Sequence, residues 1–200
     1  MTVLEALMGS RTSAEVHPLP IPLLVYIVNE WGDAPRIEAH EGTEPYPSVE
    51  NLRSESPAFW AHFPAVEEAT LIETANLVHP VFASASGAEC AERLNALIAK
   101  AKMSPALASD TWSVHEVWHT ARPGRAILAG ATLALIDHLR HEPDASRLGT
   151  CEGDACVDVY VDQSPAGRRQ YCSLTCQNRA RTRAYRASRR ARRARDGTSP

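Results

Sequence analysis

Four cysteines in the last quarter of the chain constrain its fold more than any other feature. Cys151 and Cys156 are separated by four residues, Cys172 and Cys176 by three, and fifteen residues lie between the two pairs. Thiolates bind Zn²⁺ tetrahedrally at about 2.3 Å, so four of them must converge from separate turns of chain. Two tight pairs joined by a short hairpin meet that demand. A segment this short lacks the residues for a core of its own and needs a metal or a crosslink to fold. Val157 to Asp162 largely alternates apolar and polar residues, as a half-buried strand does. Gln163 to Gly167 supplies a turn, and Arg168 to Tyr171 is expected to return as the second strand. Ser173 is placed to cap a helix beginning at Leu174, which puts Cys176 in its first turn.

That helix is basic. From Arg168 to Arg195 there are eleven arginines and no acid. Arg179, Arg183, Arg186, Arg190 and Arg193 recur at three- and four-residue steps and form one stripe, broadened by Arg181, Arg189, Arg192 and Arg195. The charge is local to this region: residues 1–150 carry −9 and residues 151–200 carry +6, for a net −3 over 200 residues. Like charges on one helix repel, and a polyanion removes that penalty while releasing counterions. Duplex DNA is the preferred partner, with RNA, an acidic protein or a merely solvated tail as alternatives. Arg168, Arg169, Asn178, Arg179, Arg183, Arg186 and Arg190 are the candidate nucleic-acid contacts.

The remainder reads as an acidic, mainly helical body with a short β element. Pro22 opens a run with Leu24, Ile27, Val28 and Trp31 on one helical face, although LLVYIV also suits a strand. Residues 32–56 look like an irregular connection. Ser56-Pro57 signals a helix start, and Pro64 is expected to begin a helix that Pro80 ends. Further helices are expected at Ala88–Lys102 and Ala126–His141, with a strand at Thr111–His119 between them. Cys90 reads as a buried helix cysteine, and the four tryptophans read as core. No apolar run approaches the roughly 18 residues of a membrane span, and the N-terminus lacks a basic, then apolar, leader. A cytoplasmic, reducing location is expected, where clustered cysteines are metal ligands rather than disulfides.

His115-Glu116-Val117-Trp118-His119 fits H-E-x-x-H, a pattern in which two histidines one helical turn apart bind catalytic zinc. Here the segment reads as strand, where positions four apart stand about 13 Å apart. Pro123-Gly124 also interrupts any helix nearby. A chance match is expected, with a zinc-dependent hydrolase as the rival function.

The stretch from Leu148 to Arg189 resembles the CGNR zinc finger. That family has a first cysteine pair, an aliphatic strand ending in Asp, Arg-Arg before an aromatic residue and Cys-Ser, and Cys-Gly-Asn-Arg opening a basic helix. This chain has Cys176-Gln177-Asn178-Arg179, with Gln in place of Gly, and a closing pair one residue tighter than in many members. The preceding region is similar to the ABATE domain that accompanies this finger, on Val28-Asn29, Arg93-Leu94-Asn95-Ala96-Leu97 and the small-residue helix before the finger. The family is described as stress-induced transcription regulators.

Together these readings describe an α+β protein. A mainly helical body (1–146), with a role as ligand sensor or partner contact, precedes a treble-clef-like finger with its Arg-rich helix (147–195) and a disordered tail (196–200). Cys151, Cys156, Cys172 and Cys176 hold one structural zinc; four thiolates leave no open position, so no enzyme is expected. The transcription machinery, a second copy of the chain and a small-molecule effector are further candidate partners, and no membrane is.

Overall fold

A computed structural model describes residues 13–55, 57–63 and 66–196. A short strand β1 (Ala14–Glu15) leads into α1 (Ile21–Trp31). Pro22 sits in the first turn of α1, where a missing N–H costs nothing. Leu24, Ile27, Val28 and Trp31 are all fully buried, so this apolar run is a helix and not a strand. Residues 33–55 hold two short helices, α2 (Asp33–Glu38) and α3 (Val49–Glu55), where the sequence suggested irregular chain. Polar contacts hold them. Buried Arg36 donates to the carbonyls of Glu41 (2.9 Å) and Glu44 and lies 4.3 Å from the Tyr46 ring centre. Asp33 exchanges hydrogen bonds with Asn76 at 2.6 and 2.7 Å. No periodicity announces such contacts.

After α4 (Pro57–Trp60) comes α5 (Glu68–Phe82), which buries Leu71 and Val78 as expected. Ser56 and Pro64, expected to mark helix starts, lie outside the described residues. Pro80 does not end α5 but lies in its last turn, where the helix forgoes one backbone bond and stops two residues later. Ser86 caps α6 (Gly87–Ala101) by accepting from the Glu89 N–H at 3.2 Å, and Cys90 is buried as expected. The expected strand is half of a hairpin: β2 (Met103–Asp110) pairs antiparallel with β3 (Ser113–Thr120), and β1 joins the other edge of β3. Thr111 is in the turn, in the left-handed region, not in the strand. Trp112 is 96% exposed at the hairpin tip, against the expectation of a core residue, while Trp31 and Trp60 are buried and Trp118 packs partly against the core.

The centre of the body is α7 (Ala126–His141), whose residues Ile127 to Leu135 are all buried. It packs with α1, α5 and α6. The chain then enters β4 (Leu148–Thr150), passes the first two cysteines, and returns as β5 (Val159–Val161) before α8 (Leu174–Asp196). Here the pairing differs from expectation. β5 pairs antiparallel with β4, which precedes the cysteines, and not with residues 168–171. Pairing with β4 lets Leu148, Val159 and Val161 bury their side chains in the same cluster as α1, α5 and α7. Residues 168–171 instead run as loop, tied to the knuckle by one backbone bond from Glu152 to Gln170. Asp196, assigned to a disordered tail, is the last residue of α8; residues 197–200 lie outside the described chain. No described helix is long and apolar enough to cross a membrane.

Candidate metal centre and basic face

Each cysteine is positioned by local backbone. The Cys151 N–H donates to the Asp158 carbonyl at 2.8 Å, extending the β4–β5 ladder to the first ligand. Ala155 adopts a left-handed conformation (φ 52°) that turns the chain back toward Cys156. Gly153 lies so close that a Cβ there would stand 3.2 Å from the Cys151 sulfur. On the other side, the Ser173 hydroxyl accepts from the Cys176 N–H at 3.3 Å, the expected helix cap, and fixes Cys176 in the first turn of α8.

The four sulfurs lie within 4.8 Å of one another, and Cys172 is 3.6 Å from both Cys156 and Cys176. Four thiolates around one zinc at about 2.3 Å would be about 3.8 Å apart, so the donor set fits a tetrahedral zinc. Cys151, Cys156 and Cys176 are buried and Cys172 is half-buried. Burial pushes the Cys156 thiol up to about 12 and also raises Cys172. Burial opposes ionisation of Cys176 too, but hydrogen bonds from Ser173 and the neighbouring thiols outweigh it and bring its pKa below the usual thiol value. A dication supplies the charge that lets all four ionise together.

Four side chains besides the cysteines hold this centre in place, and sequence reasoning assigned none of them a contact: Asp162, Tyr160, Asn29 and His79. The buried Asp162 carboxylate accepts from the N–H groups of Ser164 and Arg169, each at 2.8 Å, and so closes the turn toward the second cysteine pair. These bonds hold its carboxyl below the usual range, against the effect of burial. An Asp two residues before a Ser is the sequence signal of such a turn. Tyr160 donates its hydroxyl to the Arg169 carbonyl at 2.5 Å; its ring lies so close over Gly149 that a Cβ there would come within 2.6 Å. Asn29, on α1, uses its whole amide on β5: it donates to the Val159 carbonyl (3.1 Å) and accepts from the Val159 N–H (2.7 Å). His79, on α5, is 3.0 Å from the Val157 carbonyl. The finger is therefore fastened to the body by hydrogen bonds as well as by shared core.

The candidate contact residues separate into groups. Asn178, Arg179, Arg183, Arg186 and Arg190 line one groove along α8, with Thr182 between them and Asp154 of the knuckle at its edge. Arg183 forms an ion pair with Asp154. Arg168 is exposed near the knuckle. Arg169 is exposed but engaged within the finger: its guanidinium donates to the carbonyls of Tyr171 (2.8 Å), Val161 (3.3 Å) and Cys172, and lies 4.9 Å from the Tyr160 ring centre. Arg193 and Arg195 belong to α8, but their side chains lie outside the described set. From Arg181 to Arg192 every residue of α8 is exposed.

The H-E-x-x-H segment lies on β3, so His115 and His119 are four strand positions apart and not one helical turn. Glu116 is engaged elsewhere, accepting from Arg140 at 2.7 Å and from the Trp118 indole at 2.5 Å. Among the described residues, the four cysteines are the group assembled for a metal.

Residues 147–193 match the family model of the CGNR zinc finger. The match spans β4, the four cysteines and most of α8. No curated protein matches the chain.

Proposed function

We propose that this chain is a DNA-binding transcription regulator in which one structural zinc fixes the start of an arginine helix that enters a groove of duplex DNA. The observation that carries this reading is the state of α8. Its first turn is held by Ser173 and Cys176, while its residues from Arg181 to Arg192 touch no core and expose their guanidiniums. A helix of 23 residues is about 34 Å long, and a duplex major groove about 12 Å wide admits it. In water, its aligned charges weaken it; against phosphates, they are neutralised. Four thiolates complete the coordination of zinc and leave no position for a reacting water, so no catalytic step is proposed. The strand geometry at His115 and His119 weighs against the hydrolase reading.

The body, in this reading, senses a ligand or contacts the transcription machinery, and the Asn29 clasp together with the shared core makes it continuous with the finger. A reducing cytoplasm suits five free thiols.

The test is fluorescence anisotropy of the zinc-loaded chain on a labelled duplex across a salt series, with a single-stranded RNA of matched length as comparator. Contacts from four to six arginines predict a log–log slope near −4 to −5, from about −0.9 per phosphate neutralised. Undetectable duplex binding at physiological salt, or tighter binding to the RNA, contradicts the proposal.

A further inference from the structure

We propose that Asp154 and Arg183 act as one base-reading unit, in which the knuckle carboxylate holds the guanidinium so that its free edge meets a guanine in the major groove. The inference rests on the duplex-binding reading above and specifies what the finger would read.

Asp154 comes from the loop between Cys151 and Cys156, and Arg183 from the third turn of α8, yet Asp154 Oδ1 and Arg183 Nη1 form an ion pair. The side chains remain 61% and 68% exposed. An ion pair this exposed contributes little to stability, so folding alone does not account for it. Its location is informative. Both residues line the groove that also contains Asn178, Arg179 and Arg186. A surface built only to bind phosphate gains nothing from a carboxylate, which repels phosphate and cancels one positive charge. The carboxylate is useful where the partner presents neutral acceptors and orientation matters more than charge. Guanine O6 and N7 are such acceptors, and arginine meets them bidentately.

The guanidinium has five N–H donors in a rigid fork. Pairing Nη1 with Asp154 leaves other donors of this exposed side chain for a partner and removes rotamer freedom that would otherwise be lost on binding. Arg179 and Arg190 lie four and seven residues away on the same groove, one to two helical turns from Arg183. They suit phosphates on either side of the groove, and neither has a carboxylate partner among the described residues.

The experiment is selection of bound sequences from a randomised duplex pool by the zinc-loaded chain, followed by anisotropy on the selected duplex and on one with the guanine replaced. The wild type should prefer guanine at one position by roughly 5- to 100-fold. Arg183→Ala, Arg183→Lys and Asp154→Ala should each reduce that preference to within about twofold. Asp154→Ala should bind random duplex at least as tightly as wild type, because it removes a negative charge. Arg190→Ala should weaken binding to all duplexes alike and make the salt slope shallower by about one. Zinc content is measured alongside. If Asp154→Ala loses zinc, Arg183→Lys decides, since it keeps the charge, lacks the fork and leaves the loop between Cys151 and Cys156 unaltered. Guanine preference retained in Arg183→Lys, or retained in zinc-loaded Asp154→Ala, overturns the inference while leaving duplex binding intact. Absence of duplex binding by the wild type overturns the functional reading and this inference with it.

Discussion

Asn29, on α1, ties the finger to the body through β5. Its amide satisfies both backbone groups of Val159, a β5 residue buried in the core. Asn29→Ala leaves that donor and acceptor without their partner, which costs about 2–3 kcal/mol; urea denaturation of the zinc-loaded protein should show a lowered midpoint. In the sequence, Asn29 carried only family resemblance, because nothing in a mostly apolar helix says what a polar residue near its end will meet 130 positions later. The cysteines were fully legible, since metal chemistry imposes spacing directly on sequence. Their environment makes a second prediction. Without metal, burial raises Cys156 to about 12 and lifts Cys172 as well, while Cys176 is lowered. Both raised thiols are protonated at neutral pH, so zinc binding should release about two protons or more, and affinity should fall at least ~100-fold per unit of acidification. Calorimetry in buffers of different ionisation enthalpy reads the proton count directly; a count near zero contradicts it.

At the scale of elements, α6 and α7 lie close to where their patterns put them, α1 takes the helical one of its two readings, and the cap of α8 is Ser173. Misreadings occurred where position within an element or a tertiary contact outranked a local signal. Pro80 is tolerated within α5 because it falls in the last turn. β5 pairs with β4, and not with residues 168–171, because that choice buries Leu148, Val159 and Val161 together. The arginine helix itself was plain from composition, but the engagement of Arg169 within the finger was not, since it depends on where Tyr160 and three carbonyls lie. α8 makes its own prediction. Ala184→Pro interrupts the exposed helix between Arg183 and Arg186 at a local cost of about 3 kcal/mol. It should weaken duplex binding by tenfold or more while leaving zinc content and the melting of the body unchanged. A change in body stability would mean that the far half of α8 packs on something.

Across the whole molecule, the acidic body and the basic finger are one folded unit and not beads on a string. β4 and β5 belong to the metal knuckle by sequence and to the body's core by packing. Charge and cysteine spacing placed a boundary near Arg147, and the apolar core runs across that position through Leu148, Val159 and Val161. Zinc removal should therefore lower the stability of the body as well as unfold the knuckle, and the fluorescence of buried Trp31 and Trp60 should report it as a single transition shifted to lower denaturant. Two separate transitions, only one of them zinc-dependent, would contradict the shared core. The central claim is that zinc holds the arginine helix in its duplex-binding position. It is tested most directly by the anisotropy of one labelled duplex with the zinc-loaded chain, after chelation, and after zinc is restored. The account predicts binding, loss of at least tenfold on chelation, and recovery; duplex affinity indifferent to zinc would contradict it.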